Sequence, residues 1–209
     1  METATQLELA QYRTSLKKFV SFTDDEWQIF TAHLYFRSLK KKDVFITGDK
    51  ICNEVGFILR GSFRFYFVRE GIEISSYFCF ENDLISSYRS FLQRVPVSIT
   101  IEAMEDSKLV CFSHASLQTL LADENIAFKM ERFGRTIAEY LICCYEERVL
   151  SFVTQTPEER YLLLLDQQPK FLQLIPQRYL ANYLGVTPVS LSRIRKRIYV
   201  SRSKQKMAS

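Results

Sequence analysis

One helix-length segment near the C-terminus, residues 188–198, carries side chains whose types and spacing suit contact with DNA. Leu191, Ile194 and Ile198 fall on one stripe at i, i+3 and i+7, which is typical of a helix that docks on a core. At 3.6 residues per turn, the opposite face carries small polar and basic groups, which suit a DNA major groove. The candidate contacts on this face and its flank are Val189, Ser190, Ser192, Arg193, Lys196 and Arg197.

A second, shorter helix is predicted just before this segment. Pro176 suits the first turn of a helix, and Leu180 and Leu184 follow at helical spacing. Gly185 can adopt the left-handed conformation that ends a helix, and Thr187 is a good N-cap for the next one. Two short helices joined by so tight a turn predict a helix-turn-helix.

The charge distribution separates this hypothesis from the alternative of a helical hairpin with a solvated basic face. From Gln167 to Ser209 the chain has nine Lys or Arg and no Asp or Glu, whereas the whole chain has 28 basic and 24 acidic residues. Residues 1–166 therefore carry 19 minus 24, or −5. An acidic body with a wholly basic C-terminal segment favours binding to the phosphate backbone of a nucleic acid.

The composition indicates a folded protein rather than a disordered or membrane-spanning one. With 209 residues, of which 47% are apolar, the chain can form one large domain or two small ones. The longest apolar runs are far shorter than a membrane-spanning helix. The N-terminal segment lacks the apolar block of a secretory signal. Five scattered cysteines show no CxxC or Cys/His spacing, so we expect reduced thiols, no metal and a cytoplasmic location.

Short segments of β-branched and aromatic residues alternate with turn signals over residues 35–113. About seven such segments predict a small antiparallel barrel or jelly roll, with a hairpin turn at Glu70-Gly71. Over 63–67, alternate residues form an aromatic side and a side that carries Arg64, and the pattern leaves open which side points inward. We favour the aromatic side, because the interior of a small barrel is normally packed with side chains.

The helical period then returns and predicts one long helix over 125–153. Its apolar positions are spaced 4, 3, 4, 3, 4, as in a coiled-coil seam, and predict a homodimer. The same stripe could instead pack on the barrel, while a second apolar side meets a partner helix. The seam consists of Ile126, Met130, Phe133, Ile137, Tyr140 and Cys144, and the second side of Leu141, Ile142, Tyr145 and Val149.

The chain as a whole resembles the Crp/Fnr family of bacterial transcription regulators, in the branch common in Bacteroidetes. The resemblance is most specific in FILRGSFRFYF (57–67), the turn around Gly71, ERYLLLL (159–165) and IPQRYLANYLGVTPVSLSRIRKRI (175–198). It implies an α+β fold with an N-terminal antiparallel β-barrel of cyclic-nucleotide-binding type, a long dimerisation helix and a C-terminal helix-turn-helix. The expected domains are 1–124, 125–153 and 154–209.

The resemblance also implies roles for single residues and partners. Ser190, Arg193 and Lys196 stand where the family contacts bases and phosphates, and Gln177 and Thr187 where it touches backbone phosphates. The implied partners are double-stranded DNA, a second copy of the chain and RNA polymerase, and no membrane. The eleven residues after Ile198 are too short for the usual wing hairpin, so we expect a flexible basic arm or a disordered tail.

The segment 81–103 departs from the family's cyclic-nucleotide members. Ser86 or Ser87 stands where a ribose-binding Glu is expected, and Val97 where a phosphate-binding Arg is expected. A buried phosphate without its cation is costly, so cyclic AMP should bind weakly or not at all. The candidates for an altered effector pocket are Arg64, Ser86, Ser87, Arg89, Val97 and Ser98, with Arg94 as a further source of charge.

These observations rank the possible functions. The first is a dimeric, sequence-specific transcription regulator with a lost or altered effector pocket and no cofactor. The alternative is a cyclic-nucleotide-responsive regulator with a non-standard pocket. An enzyme, such as a metal-dependent oxygenase, is disfavoured because His33 and His114 are the only histidines and neither has a ligand partner at metal spacing. A scaffold that binds only proteins leaves the acid-free C-terminus unexplained.

Overall fold

The strand segments expected over residues 35–113 form two four-stranded sheets in the computed structural model, which describes residues 5–167 and 169–208. The sheet orders are β1-β8-β3-β6 and β2-β7-β4-β5. A barrel of antiparallel strands is therefore confirmed, and it contains one strand more than expected, the two-residue β6. The strands are β1 Tyr35–Leu39, β2 Val44–Ile46, β3 Glu54–Arg60, β4 Phe63–Arg69, β5 Ile72–Cys79, β6 Leu84–Ile85, β7 Thr100–Ala103 and β8 Ser107–Ser113.

Helices precede and follow the strands, and the chain divides into two compact units. The first unit comprises residues through Phe67 together with Tyr77–Cys143, and the second comprises Val68–Ser76 and the residues from Cys144 onward. The helices are α1 Gln6–Leu16, α2 Asp24–Thr31, α3 Tyr88–Gln93, α4 His114–Ala122, α5 Ala127–Thr154, α6 Pro157–Gln167, α7 Pro169–Leu174, α8 Gln177–Leu184 and α9 Pro188–Ala208. Among the described residues, no helix is long and apolar enough to cross a membrane.

The hairpin between β4 and β5 turns where the sequence predicts. Glu70 and Gly71 both have positive φ, at 54° and 77°. Two consecutive positive φ angles are typical of a two-residue hairpin turn whose twist matches the flanking strands. Gly71 tolerates this conformation because it has no Cβ.

The aromatic side of β4 points into the core, as we expected. Phe63 is fully buried opposite Ala103 of β7, and Phe65 packs on the same core opposite Ile101. Arg64 lies between them on the other side of the strand. Phe67, the third aromatic residue of the row, is 41% exposed and ends the packed part of β4.

The N-terminal helices cover one sheet of the barrel. Tyr12 of α1 and Phe30 of α2 are both fully buried, and the Tyr12 ring lies 4.5 Å from the ring of Phe57 in β3. A capping box begins α2, because the Glu26 amide donates to Thr23 Oγ1 at 3.2 Å and the Thr23 amide donates to Glu26 Oε2 at 2.7 Å. These helices belong to the core of the first unit.

The predicted coiled-coil seam begins inside the first unit's own core. Ile126, just before α5, is 1% exposed, Met130 is 1% exposed and Phe133 is 2% exposed, so these three do not fit the expected contact with a partner helix. Ile137 packs on the same core, whereas Tyr140 is 50% exposed. A heptad spacing identifies an apolar stripe, and here the barrel covers most of it. The alternative role for the stripe, packing on its own barrel, explains its first half.

The C-terminal tail continues the last helix. The backbone of α9 runs without interruption from Pro188 to Ala208, where the sequence led us to expect an arm or disorder. After Ile198 the segment has no Gly or Pro, and its Lys, Arg, Gln and Met residues favour helix. In the described part of the chain, no strand follows β8, so this region has no wing hairpin.

Candidate nucleic-acid interface

The turn between α8 and α9 has the geometry of a helix C-cap closed by glycine. Gly185 has φ of 75°, its amide donates to the Asn182 carbonyl at 3.0 Å, and the Val186 amide donates to the Ala181 carbonyl at 2.9 Å. This bonding pattern ends a helix within two residues. A Cβ at position 185 would also lie 3.0 Å from the Phe152 ring, so both the conformation and the space favour glycine.

Two side chains predicted to contact phosphates bond to the start of α9, and one of them, Thr187, caps the helix. The Ser190 amide donates to Thr187 Oγ1 at 3.1 Å, and the Leu191 amide donates to the Thr187 carbonyl at 3.0 Å. From the first turn of α8, Gln177 Nε2 donates to the Pro188 carbonyl at 3.4 Å. The first turns of the two helices are therefore joined directly.

The apolar stripe of α9 docks the helix as predicted. Leu191 is fully buried, Ile194 is 6% exposed and Ile198 is 7% exposed. From α8, Leu180 and Leu184 are also buried. Because one face of α9 is buried, the opposite face is presented to solvent.

The structure brings the predicted DNA-contact residues together around this exposed face. Val189 is 63% exposed, and Ser190 is half-buried because it lies beside the Thr187 cap. Arg197 forms an ion pair with Glu158 of α6, so its guanidinium is partly engaged within the protein. The exposed members of the predicted set are Gln177, Thr187, Val189, Ser192, Arg193, Lys196 and Arg197.

Arg160 holds the helix-turn-helix to the preceding helices, and the sequence analysis missed it. Its side chain is 7% exposed, Nη2 donates to the Leu184 carbonyl at 2.9 Å, and Nη1 donates to the Ser151 carbonyl at 3.2 Å and to the Gln155 carbonyl. One guanidinium thus satisfies carbonyls at the ends of α5 and α8. The sequence does carry one signal for this role, because Arg160 directly precedes the apolar run that begins at Tyr161.

A second arginine stacks beside it. Arg148 of α5 lies 3.6 Å over the Tyr183 ring and 4.4 Å over the Phe152 ring, and it donates to the Tyr183 carbonyl. Burial raises the pKa of the Tyr183 hydroxyl, and the nearby Arg148 charge opposes that rise. These stacked side chains fix α8 on the last turns of α5.

The candidate effector residues of the first unit differ in burial and in bonding. Arg64 is fully buried outside the aromatic core, where its Nε donates to Glu102 Oε1 at 3.1 Å and its guanidinium lies 4.0 Å over the Tyr66 ring. Val97 is 6% exposed and belongs to the core, whereas Ser98 is exposed. Arg64 lies on the side of β4 opposite Phe63 and Phe65, and its role as an effector-pocket residue stays a prediction.

The remaining candidates serve the local structure around α3. Ser86 Oγ donates to the Glu54 carbonyl at 3.0 Å, and Ser87 precedes α3 without a side-chain capping bond. Arg89 is exposed and donates to Gln93 at 3.2 Å. Arg94 has φ of 56° and donates to the Cys52 carbonyl at 2.9 Å.

A polar cluster between β1 and β3 was not foreseen. Tyr35 and Arg37 both donate to the Glu54 carboxylate, and the Arg37 guanidinium lies 4.9 Å over the Phe45 ring. Burial and the carboxylate of Glu54 together raise the pKa of the Tyr35 hydroxyl. β1 and β3 both pair with β8, which lies between them in the sheet, so these residues come together only when the sheet forms.

No side-chain cluster in the described residues provides three His, Cys, Asp or Glu groups that could hold a metal ion. His114 begins α4, as expected, with its ring 5.3 Å from the ring of Phe91. Burial and the charge of Arg94 lower the pKa of His114.

Comparison with known proteins yields similarity of structure alone. No protein-family profile and no curated protein matches the chain in sequence. The c-di-GMP responsive global regulator CLP of Xanthomonas campestris is 13% identical, with a TM-score of 0.67 over 86% of this chain and 93% of that one. FixK2 of Bradyrhizobium japonicum is 18% identical, with a TM-score of 0.66 over 80% and 85% of the two chains.

A third structure resembles mainly the barrel. A cyclic nucleotide-binding domain from Methylobacillus flagellatus KT is 15% identical, with a TM-score of 0.59 over 66% of this chain and 79% of that one. The two longer matches extend over at least four fifths of this chain. The chain therefore has the fold of the Crp/Fnr regulators, as the sequence resemblance implied.

Proposed function

We propose that the protein is a dimeric, sequence-specific DNA-binding transcription regulator. The observation that carries the proposal is the structure of α9, whose apolar stripe is buried while its opposite face presents Ser192, Arg193 and Lys196 to solvent. A helix docked in this way, preceded by a capped turn and rich in cations, suits the major groove. The fold neighbours support a regulator rather than an enzyme, and a cytoplasmic location with RNA polymerase as a partner follows from the same proposal.

Arg193 is the residue that we assign to base reading. It points away from the docking stripe near the start of α9, and a bidentate contact between arginine and guanine contributes about 1–3 kcal/mol of discrimination. Gln177, Thr187, Ser190 and Lys196 contribute contacts to phosphates and neighbouring bases. We also propose that residues 1–124, 125–153 and 154–209 have separate functional roles.

Selection of bound sequences from random duplexes tests this assignment. The wild-type protein should enrich a two-fold symmetric site, and selections with and without a cell metabolite extract reveal whether an effector is needed. Arg193→Ala should bind DNA but lose discrimination at one position of each half-site. Unchanged sequence preference in the Arg193→Ala variant would falsify the assignment.

The dimer contact that we propose is the second apolar side of α5. Ile142 is 66% exposed, Tyr145 64%, Val149 61% and Val153 77%, and their spacing of 3, 4 and 4 forms a stripe along the helix. An exposed apolar stripe of this length is typical of a protein–protein contact. This stripe replaces the buried half of the seam as the candidate interface.

Light scattering measures the proposed dimer. Tyr145→Glu with Val149→Glu should convert a micromolar dimer to a monomer and weaken binding to a symmetric site. Cys143→Glu is the matched control, because Cys143 is exposed on another side of the same helix and its change should leave the dimer intact. A wild-type chain that is already monomeric at this concentration contradicts the proposal.

The proposal that the effector pocket is altered rests on two observations: Val97 is buried, and the Ser86 hydroxyl donates to the Glu54 carbonyl. A cyclic phosphate brought to this region would meet an apolar side chain in place of a cation. Cyclic AMP should therefore bind weakly or not at all, and DNA binding should not require it. A micromolar complex with cyclic AMP or cyclic GMP in calorimetry would instead favour the cyclic-nucleotide-responsive regulator.

A further inference from the structure

Val189 is an apolar side chain in the middle of a polar surface. It is 63% exposed on the first turn of α9, opposite the buried stripe, and shares its face with Ser192, Arg193 and Lys196. The N-terminal residues of a recognition helix are those that reach base edges. An apolar group at this position gains nothing from phosphate oxygens, so its partner in a groove must itself be apolar.

The side chain of Val189 is held in a defined place. The Thr187 cap and the bond from Gln177 to the Pro188 carbonyl fix the backbone on one side of it. On the other side Leu191 is fully buried in the docking core. A valine in a helix also has one strongly preferred rotamer, so its two methyl groups project in a fixed direction.

The major groove offers one apolar group on a base edge, the C5-methyl of thymine. We propose that Val189 reads the methyl group of a thymine in each half-site. This inference rests on the proposed DNA-binding function. Val189 and Arg193 are four residues apart, or roughly 6 Å along the helix axis. Base pairs are spaced by about 3.4 Å, so the thymine should lie one or two base pairs from the guanine contacted by Arg193.

Replacement of thymine by deoxyuridine tests the proposal, because it removes the methyl group and leaves every base-pair hydrogen bond in place. A duplex from the selection experiment is prepared with deoxyuridine at each thymine of the half-site in turn. At one position the wild-type protein should lose about fourfold in affinity, the effect of burying one methyl-sized group. Val189→Ala should bind the thymine and deoxyuridine duplexes equally.

Val200→Ala is the matched control. Val200 is 44% exposed on the same side of α9 but three turns further along, so this variant should keep the wild-type preference for thymine. Melting temperatures of both variants should match the wild type, because neither side chain is buried.

Two results overturn the proposal in distinguishable ways. If the wild-type protein binds sequence-specifically but tolerates deoxyuridine at every position, or if Val189→Ala keeps the preference, Val189 does not read a methyl group and the DNA-binding function stands. If the wild-type protein selects no sequence at all, the proposed function fails and the methyl contact fails with it.

Discussion

Cations of the barrel sheets and cations on the outer face of α9 have different surroundings. In the first unit, Arg37 and Arg64 are paired with Glu54 and Glu102 inside the fold. In the second unit, Arg193, like Arg195 and Lys196, is exposed and forms no ion pair with any residue that the structure describes. The buried cations Arg37 and Arg64 thus hold strands together, whereas Arg193, Arg195 and Lys196 remain exposed on α9, which pairs only Arg197 with an acid among the described residues.

This contrast explains why the same residue type carries different information in the two halves of the chain. A cation in the barrel predicts an acidic partner on the neighbouring strand, as the Arg64–Glu102 register illustrates. A cation on α9 instead predicts an external partner, a phosphate or a base, because residues 167–209 contain no Asp or Glu. Counting positive charges without their burial would miss this difference.

The largest expected effect comes from replacing the buried Arg64 with methionine and comparing it with the same replacement of the exposed Arg193. Arg64→Met should lower the free energy of unfolding by about 3–5 kcal/mol, because it removes the buried cation from the Glu102 carboxylate, which also pairs with the more exposed Lys42. Arg193→Met should change the free energy of unfolding by less than about 0.5 kcal/mol but remove sequence discrimination at one position of each half-site. Trp27, the single tryptophan, lies in the first unit, so its fluorescence follows the barrel during unfolding.

The double variant Arg64→Met with Glu102→Leu is the control for this experiment. Removal of both partners should restore most of the stability, because no uncompensated charge remains. Equal reductions in the single and double variants would mean that packing of the Arg64 side chain, and not its charge, holds β4 to β7.

Variants of Arg160 test whether a buried cation also stabilises the second unit. Arg160→Met should lower the free energy of unfolding by about 2–3 kcal/mol, because the carbonyls of Ser151, Gln155 and Leu184 lose a charged donor. Far-ultraviolet circular dichroism should report the change, and DNA affinity should fall for all sequences. Arg160→Lys, which keeps the charge but not the planar fork, should recover only part of the stability. A fully stable Arg160→Met variant contradicts this role.

Deletion of residues 201–209 probes the exposed cations at the end of α9. The deletion removes Arg202, Lys204 and Lys206, whose side chains lie outside the described part of the structure. Affinity should fall by a similar factor for all sequences, and the slope of log affinity against log salt should decrease by roughly 0.9 for each phosphate that the shortened protein no longer neutralises. Altered sequence preference after the deletion would show that the tail reads bases.

The smallest effect concerns a paired charge at the edge of the first unit. Lys108 Nζ lies 2.6 Å from Glu8 Oε1, and this hydrogen bond lowers the pKa of Glu8 below its ordinary value of 4.5. A lowered carboxyl pKa contributes stability above the unfolded value and loses it as the pH falls through the folded value. Glu8→Gln should therefore cost about 0.5 kcal/mol at pH 7 and almost nothing at pH 3 in denaturant unfolding.

The helix-turn-helix could be predicted almost completely because its signals are local. The left-handed Gly185, the Thr187 cap and the stripe from Leu191 to Ile198 all occur within a few residues of one another. Each signal acts on the backbone next to it, so the sequence alone determines both helices and the face that docks.

The features that could not be predicted depend on residues far apart in the chain. The spacing of Met130 and Phe133 identifies an apolar stripe, but it does not say whether a barrel or a second helix covers it. The bonds of Arg160 to Leu184 and of Tyr35 to Glu54 arise only when separate elements pack. Alternation along β4 likewise defines two sides without telling which one the second sheet covers.

In the proposed complex with DNA, the uninterrupted course of α9 limits how the helix can follow a duplex. Its 21 residues make a straight rod of about 31 Å, or roughly nine base-pair steps, whereas the major groove winds around the DNA axis. Because the groove curves and the helix does not, the helix can lie deep in the groove over only part of its length. With the N-terminal turn at the bases, the far end rises out of the groove toward the sugar-phosphate rim.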